Sequence, residues 1–211
     1  IDRKAEETIV DTLLGAYPNH GIIAEEGSGN TRGNSGSDHI WIIDPLDGTT
    51  NFLHGMPHFA ISIAVEEPMA SGKREVTSAM VYQPLTDEAF WAEKGKGAWL
   101  TDRRLRVSAR TSLPDSVIAT GIPFLGHGDL AQWSRIFGAV APEVAGIRRF
   151  GSAALDLAWV ASGRFEAFWE SALQPWDVAA GILLVREAGG FVTDYRGQDN
   201  MVARAEIVAA N

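Results

Sequence analysis

Ala5, Ile9 and Leu13 recur at four-residue spacing between charged positions, which predicts a helix over residues 2–17, stopped by Tyr17-Pro18-Asn19. Ile22-Ile23-Ala24 predicts a short strand running into Glu25-Glu26. Trp41-Ile42-Ile43 is apolar and partly β-branched, as a covered strand is, and it leads straight into Asp44-Pro45-Leu46-Asp47-Gly48-Thr49. Pro45 pre-sets the geometry of that turn, and a helix start follows it. Alternation from Phe59 to Val65 predicts a half-buried strand, Glu66 to Arg74 a turn, and Ser78–Tyr82 and Ala89–Ala92 further antiparallel strands. Gly95-Lys96-Gly97 bends the chain before Ala98-Trp99-Leu100.

A second run of elements begins with a strand at Val117–Thr120 and a helix from Asp129 to Val140. A helix from Ala153 to Ala161, with Ser152 as its N-cap, precedes an apolar strand from Phe165 to Trp169 that ends at Glu170. Pro175-Trp176-Asp177 opens an apolar helix closed by Gly189-Gly190, and Phe191–Thr193 and Ile207–Ala209 are closing strands. The pattern is sheets covered by helices in several layers, with no internal repeat and no linker separating independent domains. Residues 27–38 are a low-complexity stretch, expected to be a mobile flap that orders when metal binds. Its glycines resemble a phosphate loop only superficially, because no Gly-Lys-Ser/Thr follows.

Composition narrows the classes. The formal net charge is -9, from 27 acidic and 18 basic residues, which disfavours direct nucleic-acid binding but not a phosphate substrate held through divalent cations. The absence of cysteine excludes disulfides and thiolate zinc sites and fits a reducing, cytoplasmic compartment. No apolar run approaches the roughly 20 residues of a bilayer span, so no membrane anchor is expected. The chain opens at Ile1 inside a helix, so a stretch upstream is expected to be missing.

The chemistry concentrates in acids. Asp44 and Asp47 lie at the carboxyl end of a strand, where open sheets place ligands, and Gly48 and Thr49 offer backbone N–H groups to an anion. Taken alone, that turn is equally compatible with a capped helix start. Glu25, Asp44, Asp47 and Asp177 each close a strand or open a helix; left unpaired they would raise one another's pKa. Oxygen-only ligands point to Mg²⁺ rather than Zn²⁺. His54 and His58 are spaced like ligands on one helical turn, but Pro57 interrupts such a helix, and they read as structural. The seven tryptophans, with no basic stripe beside them, read as core and interface. Glu170 by itself reads as a solvated strand end.

Together these residues resemble the inositol monophosphatase family of lithium-sensitive, Mg²⁺-dependent phosphatases, in its bacterial branch. Trp41 to Phe52 matches the family's Asp-Pro-hydrophobic-Asp-Gly-Thr-Thr-Asn-Phe signature. Trp176-Asp177-Val178-Ala179-Ala180-Gly181 matches a second, with Glu187-Ala188-Gly189-Gly190 behind it. Glu25-Glu26, Gly151-Ser152-Ala153-Ala154 and Glu170 fall at family-like spacing. Ala24 replaces the usual glycine, and the family's helix before Asp2 and its last helix after Asn211 are absent.

The resemblance implies a mixed α and β fold, the layered αβαβα sandwich of the inositol monophosphatase and fructose-bisphosphatase type. One phosphatase unit would comprise a metal-binding lobe over about 1–115 and a second lobe over about 116–211. It implies a phosphoric monoester hydrolase with two to three Mg²⁺: Glu25, Asp44 and the Leu46 carbonyl at the first, Asp44, Asp47 and Asp177 at the second, and Glu25 at a weaker third. The backbone of Gly48 and Thr49 would hold phosphate. Thr49, relayed to Asp2, would activate the water that attacks directly. Gly151, Ser152, Ala153, Glu170 and Asp177, joined by Arg148, would face substrate hydroxyls. The substrate it implies is myo-inositol monophosphate, with histidinol phosphate, fructose 1,6-bisphosphate or 3′-phosphoadenosine 5′-phosphate as alternatives. Thr50, where nucleotide phosphatases tend to carry lysine, favours the first. The resemblance also implies a homodimer, and the alternative from another class is a regulatory protein that engages a transcription-machinery partner independently of catalysis.

Overall fold

The computed structural model describes residues 1–27, 34 and 36–211. The stretch expected to form a flap falls largely on residues 28–33 and 35, outside the described residues. The chain opens with α1 (Asp2–Ala16) and builds a seven-stranded sheet from β1 (Gly21–Ala24), β2 (Ile40–Asp47), β3 (Ala60–Pro68), β4 (Arg74–Gln83), β5 (Glu88–Glu93), β6 (Gly97–Leu100) and β7 (Arg103–Arg104). The strands lie in chain order; β1 and β2 are parallel and every later pair is antiparallel. The five-residue α2 (Thr49–Leu53) lies between β2 and β3.

The second sheet has the order β11-β12-β10-β8-β9, from β8 (Val117–Thr120), β9 (Gly146–Arg148), β10 (Ala167–Ser171), β11 (Phe191–Thr193) and β12 (Glu206–Ala210). Its helices are α3 (Leu130–Val140), α4 (Ala153–Ala161), α5 (Pro175–Glu187) and α6 (Met201–Arg204). β8 pairs in parallel with β9 and β10, while β12 runs antiparallel to β10 and β11.

Helices α4 and α5 are apolar around their whole circumference, the pattern of a helix covered on every side. They pack on each other, α5 reaching β2 to β6 and α4 reaching β10 and β12. The resulting core joins Val81 and Phe90 of the first sheet to Leu155, Leu157 and Leu184 of the helices and Phe168 and Ile207 of the second sheet. At their crossing a Cβ on Gly181 would overlap Leu157, so glycine sets the helix separation. A smaller cluster of Val10, Ile22, Ala24 and Ile43 seats α1 on the outer face of the first sheet. On the second sheet α3 is tied by Trp133, whose indole N–H donates to Thr120 Oγ1 at 3.1 Å. The layers run helix, sheet, helix, sheet, helix. No helix among the described residues is long and apolar enough to cross a membrane.

Two departures from the sequence reading have simple causes. β3 continues through Glu66 to Pro68, because the partner positions Val76 to Arg74 extend the ladder past the last apolar residue. β7, β9 and α6 carry two to four residues each, too few for a period to register.

Candidate active site

The site begins with a fault in β2. Asp44 pairs with Ser62 of β3 and Asp47 with Ala60, so three steps on β2 answer two on β3. In a regular strand these two aspartates face opposite sides; the extra residue at Pro45-Leu46 changes the parity. Both carboxylates then line one cleft of about 500 Å³, together with Glu25, Leu46, Gly48, Thr49, Gly151, Ala153, Glu170 and Asp177.

Each acid is held by its own element. Asp44 is 1% exposed and accepts the Leu46 N–H at 2.9 Å. Asp47 Oδ2 accepts Ser152 Oγ at 2.6 Å and the Ala154 N–H at 2.7 Å. Asp177 sits in the first turn of α5 and accepts the Gln174 N–H at 2.7 Å in a reciprocal capping box. Glu170 is the last residue but one of β10, and a Cβ on Gly121 would overlap its carboxylate. Gly48 adopts φ 90°, and a Cβ there would stand 3.0 Å from the His58 carbonyl and 3.3 Å from that of Gly151. Asn51 Nδ2 donates to the His58 and Phe150 carbonyls, both at 2.7 Å, and so locks α2 to the loop before α4.

Burial, reinforced by mutual repulsion, pushes these acids out of the ordinary carboxylate range. Asp44 lies well above it, through burial first and then Asp47, Glu25 and Asp177. Asp177 is pushed to about 7 by burial and Asp47, and Glu170 to about 8 by burial, Asp47 and Asp177. Asp47 rises only to about 6, because Ser152 and the N–H groups at the start of α4 oppose its burial. Glu25 is raised by burial while sharing a hydrogen bond with Asp44.

Among the described residues, no group of three or more acidic or histidine side chains is drawn together closely enough to hold a metal ion as it stands. The donor chemistry nevertheless fits a divalent cation. The donors are hard oxygens only, Asp44 is buried and Asp47 and Asp177 half-buried with no arginine or lysine paired to them among the described residues, and Glu25 is hydrogen-bonded to Asp44 where a cation would serve both.

Three predicted residues stand elsewhere. Arg148, expected at the substrate, is exposed on β9 and donates to the Ile147 carbonyl; Arg149 lines the cleft instead. Neighbours along extended backbone point opposite ways, and a pair of arginines carries no signal of which faces inward. Ser152 occupies the N-cap position of α4 without capping it, and its hydroxyl turns to Asp47. Asp47 thus caps that helix from another element. Asp2, on the first turn of α1, adds its charge to that felt by Glu25 but does not line the cleft. Thr49 Oγ1 donates to the Leu46 carbonyl at 3.0 Å, so no Thr49–Asp2 hydrogen bond forms here.

The sequence reading also missed the far wall, Ile122, Pro123, Phe124 and His127. Behind the cleft, Asp156 is raised well above its usual range by burial and then by Glu170 and Asp47. His58, 3.9 Å from it and packed on Phe150 and Trp159, is lowered by burial to about 4.

The profile of the inositol monophosphatase family matches residues 1–211. An inositol-1-monophosphatase of Rhizobium meliloti (strain 1021) is 53% identical over 210 residues, 100% of this chain and 76% of that protein. The Nus factor SuhB of Pseudomonas aeruginosa is 48% identical over 213 residues, 100% of this chain and 77% of its own. Among solved structures, the extragenic suppressor protein suhB of Bartonella henselae superposes with TM-score 0.92 at 51% identity, over 100% of this chain and 79% of that one.

Proposed function

The chain belongs to the inositol monophosphatase family, and from that premise we propose that it is an Mg²⁺-dependent phosphatase acting on a small phosphate monoester, inositol 1-phosphate foremost. The observation that carries this reading is the meeting of Glu25, Asp44, Asp47 and Asp177 beside Gly48 and Thr49 in one cleft. Glu25, Asp44 and the Leu46 carbonyl would hold one Mg²⁺, Asp44, Asp47 and Asp177 a second, and Glu25 would contribute to a third. Bound there, the ions would supply the positive charge that acidifies water and steadies a leaving oxygen.

The chain's own groups do the rest. Thr49, whose proton is engaged by the Leu46 carbonyl, offers its lone pairs to orient the attacking water. Asp2, whose charge is felt by Glu25 but whose side chain does not line the cleft, would take up the released proton through a bridging water. The Gly48 and Thr49 backbone would hold the phosphate oxygens, and Gly151, Ala153 and Glu170 would face the leaving alcohol. Water attacks phosphorus in line, the ester oxygen leaves as an alcohol, and no side chain is phosphorylated.

Phosphate release from inositol 1-phosphate, fructose 1,6-bisphosphate, 3′-phosphoadenosine 5′-phosphate and histidinol phosphate, with Mg²⁺, with chelator and with added Li⁺, tests this. Mg²⁺-dependent, Li⁺-inhibited release strongest on inositol 1-phosphate is expected. Strongest release from another ester would move the substrate, and release from none would overturn the enzyme reading.

The name of the Pseudomonas relative, a Nus factor, favours a second reading: a protein partner in transcription. Asp44→Asn separates the two, since a cellular role that survives loss of turnover belongs to binding. A cytoplasmic homodimer accompanies the proposal, and light scattering at the monomer mass would refute the dimer.

A further inference from the structure

We propose that Arg149 determines which alcohol the cleft accepts, its guanidinium reading adjacent hydroxyls of the leaving group together with the Glu170 carboxyl. The inference rests on the phosphatase reading above and adds to it a residue that sequence spacing did not point to.

Among the described residues lining the cleft, Arg149 carries the only arginine or lysine charge, against five carboxylates. Its guanidinium lies across Gly151, where a Cβ would overlap Nη1, so this course of the side chain requires glycine at that position. The backbone there is at φ 79°, which glycine also tolerates best. Arg149 stands near enough to Glu170 and Asp156 to lower the pKa of both. Yet among the described residues it makes no hydrogen bond or ion pair with either, so the donors of this exposed, cleft-lining side chain are free for a ligand.

That arrangement suits a hydroxyl. A carbinol O–H donates to a carboxylate while accepting from a guanidinium, and the planar fork of arginine spans two oxygens on neighbouring carbons. A second phosphate suits it less, because Glu170 lines the same cleft and its carboxylate form would repel it. The guanidinium therefore selects a polyol rather than a bisphosphate.

The test is steady-state kinetics of the wild-type protein, Arg149→Ala and Arg149→Lys with Mg²⁺, on inositol 1-phosphate, phenyl phosphate and fructose 1,6-bisphosphate. A charge-assisted hydrogen bond at a partly exposed site predicts that Arg149→Ala loses about tenfold in kcat/KM for inositol 1-phosphate relative to phenyl phosphate, carried by KM. Lysine, which keeps the charge but not the fork, is expected in between. An unchanged ratio in both variants would overturn the proposal while leaving the phosphatase reading intact. A loss larger on the bisphosphate than on the inositol ester would also overturn it, assigning the guanidinium to a second phosphate. Release from no ester by the wild-type protein would remove both readings together. Melting temperatures report any purely structural effect, which the lack of side-chain partners predicts to be small.

Discussion

Replacing Glu170 by glutamine is expected to stabilise the metal-free protein while damaging its site. The carboxyl is pushed from an ordinary 4.5 to about 8, by burial and then by Asp47 and Asp177, with Arg149 opposing. A carboxylate whose pKa is raised by folding holds its proton in the folded state and releases it on unfolding. Stability therefore falls as pH rises from about 4.5, and the loss levels off above about 8. At pH 7.5 the full linkage amounts to about 4 kcal/mol, against about 1 kcal/mol at pH 5. Glutamine recovers only part of this, because its amide is buried in the same place and needs hydrogen-bond partners of its own, so about 2 kcal/mol is expected at pH 7.5. For a chain of this size that is a rise of about 4–8 °C in melting temperature. Thermal unfolding of both proteins in chelator from pH 5 to 8.5 measures it. Equal melting temperatures at pH 7.5, or a gap that widens toward acid, would refute the reasoning. Added Mg²⁺ should narrow the gap, because cations at Asp47 and Asp177 cancel the repulsion on Glu170.

Three further outcomes follow from the same geometry. Ser152→Ala removes a 2.6 Å hydrogen bond to half-buried Asp47 and should cost about 1–2 kcal/mol in urea unfolding; no loss would mean that Asp47 is satisfied without it. Gly181→Ala should destabilise by about 1–3 kcal/mol despite alanine's better helix propensity, because its Cβ overlaps Leu157, and a stabilised variant would show that α4 and α5 can separate freely. Mg²⁺ at a hundred times its dissociation constant should stabilise the wild-type protein by about 2.7 kcal/mol and Asp44→Asn far less, as calorimetry would read directly.

The parts legible in the sequence are those where one chain segment decides its own geometry. Helix α4 begins and ends at the predicted residues, and α5 ends where Gly189, at φ 93°, terminates it. The acids Glu25, Asp44, Asp47, Glu170 and Asp177 all reach the predicted cleft, because each sits at the end of a strand or the start of a helix pointing there. What stayed hidden depends on two segments at once. Gly121 looks like any turn glycine until Glu170 is found in the space its side chain would fill. The choice between Arg148 and Arg149 depends on the facing of a three-residue strand, set by its parallel pairing with β8.

The bulge in β2 explains why these hidden features matter together. Without the extra residue at Pro45-Leu46, Asp44 and Asp47 would face opposite sides of the sheet, and one of them would be buried away from the cleft. Pro45 has no N–H to give to β3, so the fault forms where no proline N–H can be left unpaired. Bringing two carboxylates to one face then raises the cost of charging both, and that cost is met at the far side of the fold. Asp47 is answered by Ser152 and the N-terminus of α4, more than a hundred residues later in the chain. The contact that eases its charge also fixes the loop carrying Arg149 and Gly151 against α2, where Asn51 holds it a second time. One irregular residue in a strand thereby ties the acidic half of the cleft to the half that would read the alcohol.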